Sequence, residues 1–151
     1  MTTPRTTAPQ MRPFSTGHPG YSIGLACLPP SAVLARQAAR TTVACWGLPD
    51  AVAEDAALIA SELVTNAILH AGPLNPQAPA RCRLTVDRPE PDTVRVEVSD
   101  GCPCLPRRRA ATDDETSGRG LCLVQAFAES WGTTPHQHGK TVWAVLRVKT
   151  R

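Results

Sequence analysis

The chain has 151 residues, of which 42% are hydrophobic and 19% charged, a composition typical of one globular domain with its own core. The net charge of +3 is too small to predict a nucleic-acid partner. No run of 18 apolar residues predicts a membrane span, and no apolar segment follows Arg5 and Arg12 as in a signal peptide, so we expect a cytoplasmic protein.

The chain begins with a Pro- and Thr-rich stretch that has little to bury. We therefore expect residues 1–20 to be a disordered tail and residues 21–151 to form the domain. A strand is predicted over 21–28. Ser31 is predicted to cap a helix over 32–46, because serine accepts hydrogen bonds from the first free N–H groups of a helix.

A second helix is predicted over 50–72. Its apolar residues recur at helical spacing and predict a broad buried side, formed by Ala56, Ile59, Ala60, Leu63, Val64, Ala67, Ile68 and Ala71. Glu62, Asn66 and His70 recur every four residues along one edge between apolar strips. A carboxylate there is costly to desolvate unless a metal ion, a water or a phosphate fills the seam. A core helix with one solvent-exposed edge explains the same periodicity equally well.

The second half of the chain is predicted to contain two hairpins and one further helix. The predicted ranges are strands over 81–87 and 93–99, a loop over 102–117, a helix over 121–130, and strands over 131–135 and 141–149. Elements in this order predict an α+β fold, a two-layer sandwich of a mixed, mostly antiparallel sheet with the helices on one face.

Two strand and loop ends carry residue types suited to a ligand. Asp100 and Gly101 end a predicted strand, where an exposed carboxylate can accept a hydrogen bond from a ligand amine. Gly118 and Gly120 are expected to precede a helix, where free N–H groups favour phosphate. Taken singly, an Asp after a strand and a Gly-x-Gly are more often simple turns.

Two other motifs lack the spacing that their chemistry requires. The tripeptide 139–141 resembles the end of a phosphate-binding loop, but the required first glycine is a threonine and a strand follows, so a hairpin turn is predicted. Cys102 with Cys104, and His136 with His138, lack the separation typical of zinc ligand pairs. We expect the other cysteines to be small core residues, without a disulfide framework.

The pattern E-L-V-T-N-A-x-x-H-A at 62–71 resembles the asparagine box of the GHKL ATP-binding domains, which include gyrase and the histidine kinases. The pattern V-x-x-F-A-x-x-W-G at 124–132 is similar to the bacterial anti-sigma-factor serine/threonine kinases within that group. The resemblance covers roughly 30–146. It implies the Bergerat ATP-binding fold, with ATP and Mg²⁺ as cofactors.

The resemblance also implies roles for individual residues. Asn66 is expected to coordinate the magnesium ion that bridges the ATP phosphates, and Glu62 to act as the catalytic base. Asp100 and Gly101 form the first glycine box, whose aspartate is expected to bind the adenine amine. The other expected ATP-binding residues are Gly118, Arg119, Gly120, Leu121 and Thr141.

Two functions are compatible with this resemblance. The first is a serine/threonine protein kinase that phosphorylates a small anti-anti-sigma antagonist and so controls a sigma factor. The second is a non-catalytic, ATP-dependent anti-sigma module, and in either case a homodimer is a candidate assembly. Glu62 favours the kinase, whereas Cys102, Cys104 and Cys122, which stand at glycine positions of the family pattern, favour the module. A stand-alone ATPase is a weaker third interpretation, because no transducer domain follows.

Overall fold

The computed structural model describes residues 19–70, 80–101, 115–137 and 139–149, and within these ranges it has three helices and five strands. The helices are α1 (Pro30–Cys45), α2 (Asp50–Leu69) and α3 (Glu115–Phe127). The strands are β1 (Gly20–Ala26), β2 (Arg81–Asp87), β3 (Thr93–Asp100), β4 (Ser130–His136) and β5 (Gly139–Arg147). None of these helices is long and apolar enough to cross a membrane. Residues 1–18 of the predicted tail over 1–20, and most of the predicted loop over 102–117, lie outside the described residues.

The five strands form one sheet in the order β1-β2-β3-β5-β4, which confirms the predicted α+β class. All four pairings are antiparallel, whereas the sequence predicted a mixed sheet. Two of them follow directly from short connections, because strands joined by a hairpin pair antiparallel. Helix α2 packs across β2, β3 and β5, while α1 and α3 flank it.

The core lies between α2 and one face of the sheet. The predicted apolar side of α2 is confirmed for six of its eight members, which are at most 3% exposed: Ala56, Ile59, Ala60, Leu63, Val64 and Ala67. Ile68 is partly buried against the same core, and Ala71 lies outside the described residues. The six buried residues face a layer of strand residues from alternate positions: Leu84, Val86, Val94, Val96, Val98, Val142 and Ala144. Because side chains alternate between the two faces of a sheet, every second residue of these strands faces α2.

Two helix starts differ from the prediction. Helix α1 begins at Pro30, so Ser31 lies inside its first turn and is buried instead of capping it. Proline is tolerated there because the first N–H groups of a helix have no partner within it. Helix α3 begins at Glu115, six residues before the predicted start. Its two glycines cost about 1 kcal/mol each relative to alanine, which is too little to end a helix.

The sheet face away from the helices is polar around one aromatic side chain. The guanidinium of Arg95 lies 5.0 Å from the ring centre of Trp143 and forms a 3.0 Å ion pair with Glu97. Gly132 of the neighbouring strand lies directly opposite Trp143, and the indole packs against it. Because Gly132 has no side chain, the ring can lie flat on the sheet.

Candidate functional site

The edge of α2 carries two polar residues one helical turn apart. Asn66 is only 4% exposed, and its side-chain nitrogen is buried with no hydrogen-bond partner among the described residues. A buried amide without a partner costs about 1–3 kcal/mol. The site therefore has unsatisfied polarity at the position where the sequence predicted a metal ligand.

Glu62 lies one turn before Asn66 and is half-buried. Burial raises the pKa of this carboxyl above its ordinary value of 4.5, and the positive charge of Arg36 opposes part of the increase. A carboxylate whose pKa is raised by desolvation is a stronger base than one in water. The raised pKa makes the carboxylate of Glu62 a better proton acceptor than that of an exposed glutamate.

Arg36, which no motif in the sequence marks as functional, also lies in this region. It projects from α1, and its guanidinium donates a 3.3 Å hydrogen bond to the hydroxyl of Ser61, the neighbour of Glu62. Ser61 in turn donates to the carbonyl oxygen of Leu58 at 2.9 Å. Helical spacing alone could not reveal this contact, since it depends on how α1 packs against α2.

The predicted adenine ligand, Asp100, forms an ion pair at the end of the sheet. The ammonium of Lys140 lies 3.2 Å and 3.1 Å from its two carboxylate oxygens. The two residues are directly opposite each other on β3 and β5, and their side chains are 6% and 2% exposed, respectively. Lys140 is predicted from the sequence to lie in a hairpin turn, whereas the structure places it in this buried pair.

Gly139 permits the close approach of the two strands at this point. Its φ of +154° lies in a region that side chains rarely adopt. A Cβ there would overlap the carbonyl oxygen of Asp100 and lie only 2.8 Å from the Cα of Gly101. Gly139 is therefore required for the β5 register that sets Lys140 beside Asp100.

Two cysteines continue this row across the sheet. Cys82 pairs with Asp100 in the β2–β3 register, and its thiol shares a hydrogen bond with that of Cys27. Burial is the largest cause of the rise in the pKa of Cys82 to about 12, and burial also raises the pKa of Cys27. Both thiols are therefore protonated near neutral pH. As uncharged side chains, the two thiols form an apolar surface beside the Asp100–Lys140 ion pair.

Thr141, also predicted to bind ATP, lies on the other face of the sheet. Its hydroxyl hydrogen-bonds to that of Ser99 at 2.6 Å, and the residue is buried. Because side chains alternate along a strand, Lys140 rather than Thr141 stands next to Asp100. The structure thus brings Asp100 and Lys140 together and leaves Thr141 apart from them.

The second glycine box differs from the predicted arrangement. Gly118, Arg119 and Gly120 lie within α3 rather than before it, so Gly120 falls inside the helix and not in front of its first turn. Leu121 is fully buried, and Cys122 is exposed. Cys102 and Cys104 of the first box lie outside the described residues. The expected phosphate cradle at a helix start is not formed at these glycines in this conformation.

A comparison with protein families identifies the chain. The family described as the histidine kinase-like ATPase domain matches residues 26–146, which include the elements α1 to β4, all of β5 except Arg147, and all the predicted site residues. A search of curated proteins finds no match. The chain belongs to the histidine kinase-like ATPase family, as an ATP-binding domain of that type.

Proposed function

We propose that this protein is a regulatory serine/threonine kinase that transfers the γ-phosphoryl group of ATP to a serine of a small anti-anti-sigma antagonist. The observation that carries the proposal is the pair on α2. A carboxyl with a raised pKa, Glu62, lies one turn before Asn66, whose buried amide nitrogen has no hydrogen-bond partner in the part of the chain that the structure describes. The proposal includes a cytoplasmic location, a sigma factor as the controlled protein and a homodimer as the assembly.

The residues present fit a magnesium–nucleotide complex. The side-chain oxygen of Asn66 is a hard ligand of the kind Mg²⁺ prefers, and its unpartnered nitrogen is a donor for a phosphate oxygen. One protein ligand is sufficient, because Mg²⁺ usually keeps several waters and takes others from substrate phosphates. The bound ion supplies positive charge that offsets the charge of the transferring phosphoryl group.

Glu62 takes the proton in the proposed reaction. The serine oxygen of the antagonist bonds to the γ-phosphorus while the bond from that phosphorus to the bridging oxygen of ADP breaks, and the hydroxyl proton moves to a carboxylate oxygen of Glu62. Desolvation of Glu62 favours this transfer, because it raises the proton affinity of the carboxylate. Asp100 accepts a hydrogen bond from the adenine amine and so orients the nucleotide.

The second candidate is an ATP-dependent anti-sigma module that sequesters its partner without phosphotransfer. The position of Gly118 and Gly120 inside α3 favours it, because a continuous helix does not offer their N–H groups to phosphates. Cys122, which stands at a glycine position of the family pattern, adds a side chain to the same segment.

Phosphotransfer from radiolabelled ATP to a panel of small anti-anti-sigma proteins tests the proposal. We expect one antagonist to be labelled by the wild type and by the matched control Glu54→Gln, which changes an exposed carboxylate on the same helix. Glu62→Gln should bind ATP but lose about 10²–10⁴-fold in rate, as for removal of a general base. Asn66→Ala should fold and fail to bind Mg-ATP in calorimetry. A wild type that binds Mg-ATP and a sigma factor but labels no antagonist is the sequestering module.

A further inference from the structure

Lys140 is a buried charge to which the proposed mechanism gives no role. It is 1% exposed, and its ammonium contacts both carboxylate oxygens of Asp100. It stands on the sheet face that packs toward α2, one step beyond the core residue Val142. Apolar side chains occupy the rest of this face of β5, so a lysine interrupts the pattern.

The energetics of such a pair favour a functional explanation. Desolvating two charges costs several kcal/mol per ion, and apolar residues of similar size are often as stabilising or more so. A core that required only packing at this position would accept an apolar pair like those in the preceding rows. A buried charge pair that packing alone does not require is a candidate for ligand recognition.

Resting on the proposed function, we propose that Lys140 is a specificity-determining residue that reads the nucleobase together with Asp100. Asp100 accepts from the exocyclic amine of adenine, and Lys140 turns one N–H to the neighbouring ring nitrogen, N1. A carboxylate only accepts hydrogen bonds and an ammonium only donates them. The pair therefore complements the amine donor and the N1 acceptor of one adenine edge.

The same pair disfavours a base that binds in the same orientation but has its hydrogen-bond donor and acceptor exchanged. Guanine presents a carbonyl oxygen where adenine has its amine, and an N–H where adenine has a bare ring nitrogen. The carbonyl oxygen of guanine, an acceptor, would then face the acceptor Asp100, and its ring N–H, a donor, would face the donor Lys140. Unpaired polar groups in a desolvated site discriminate strongly. Lys140 accordingly adds to the discrimination that Asp100 provides alone.

Two ATP analogues and two variants test this role by calorimetric binding. In 1-deaza-ATP a C–H replaces N1, and in 7-deaza-ATP the change lies on the opposite edge of the purine. We expect the wild type to bind 1-deaza-ATP about 10- to 100-fold more weakly than ATP, the range for a charge-assisted hydrogen bond, and 7-deaza-ATP with little loss. Lys140→Met should weaken ATP binding and bind ATP and 1-deaza-ATP equally. The matched control Lys149→Met, at an exposed lysine beyond the end of β5, should behave as the wild type.

Each outcome separates this inference from the proposed function. If Lys140→Met weakens ATP and 1-deaza-ATP by the same factor, Lys140 is a structural residue and the inference is overturned. If Lys140→Met does not fold, the wild type decides alone, because equal affinity for ATP and 1-deaza-ATP overturns the inference too. If the wild type binds no adenine nucleotide, the proposed function itself fails. Binding that is lost in Asn66→Ala and unaffected by Lys140→Met overturns only the role of Lys140.

Discussion

Arg36 of α1 donates a 3.3 Å hydrogen bond to Ser61 of α2, and its positive charge lowers the pKa of the adjacent Glu62. Burial acts in the opposite direction and is the larger influence on this carboxyl. Two features therefore set the basicity of Glu62. One is how deeply its carboxyl is buried on α2, and the other is how closely α1 brings the guanidinium of Arg36 to it. This contact offers a way to change that basicity without altering Glu62 itself.

Arg36→Met should raise the pKa of Glu62 further, because the opposing positive charge is lost while the burial remains. A carboxyl-carbon NMR titration of selectively labelled protein measures this pKa directly. Arg40→Met is the control, since Arg40 lies one turn further along α1 and pairs with Glu54 at 2.8 Å instead. A Glu62 titration that is the same in both variants would remove Arg36 from the site.

Glu62→Gln should stabilise the protein at neutral pH. The folded-state pKa of Glu62 is above its ordinary value of 4.5, so the folded protein binds the proton more tightly than the unfolded chain does. Stability from this group is therefore present at acid pH and is lost as pH rises from 4.5 through the folded-state pKa. Glutamine cannot ionise and avoids that loss. Thermal melts should show the variant above the wild type at pH 7 and the difference shrinking toward pH 4; a constant difference would contradict the assignment.

Asp100→Asn should lower both the affinity for ATP and the free energy of unfolding. An amide loses the charge-assisted bond to the adenine amine, at a cost of about 1.5–3 kcal/mol in binding. It also leaves the buried Lys140 without its counter-charge, which for such pairs costs up to about 3–5 kcal/mol of stability. Asp92→Asn is the control, because Asp92 pairs with Arg147 where both side chains are nearly half exposed. Equal binding of ATP and GTP by the wild type would show that Asp100 does not read adenine.

The sequence predicted those parts of the site that depend on local periodicity. Glu62 and Asn66 share an edge of α2 because helical geometry alone fixes residues four apart on one face. The Asp100–Lys140 pair joins residues 40 apart in sequence and depends on the β3–β5 register. The family resemblance implies Thr141 as an ATP-binding residue, whereas the register places Lys140 beside Asp100 and Thr141 on the opposite face of the sheet. The predicted start of α3 is wrong because Gly118 and Gly120 are predicted to precede the helix, whereas the helix includes both of them.

Gly132→Ala should destabilise the fold, in contrast to the same substitution at Gly24 on β1. A Cβ at Gly132 would lie 2.7 Å from a ring carbon of Trp143, so the indole must move, and Arg95 packs on the same ring. Overpacking of this kind costs about 1–3 kcal/mol, which exceeds the roughly 0.4–1 kcal/mol that alanine gains by restricting the unfolded chain.

Gly24→Ala is the control for this substitution. The nearest atom to a Cβ at Gly24 is a guanidinium nitrogen of Arg83 at 3.2 Å, the far end of a flexible side chain that needs to move by only a few tenths of an ångström. Urea denaturation should therefore give a lower midpoint for Gly132→Ala and a nearly unchanged one for Gly24→Ala. Since Trp143 lies on the sheet face away from Asp100 and Lys140, Gly132→Ala should keep wild-type affinity for ATP under native conditions. Loss of ATP binding in a folded Gly132→Ala protein would mean that the two faces of the sheet are coupled.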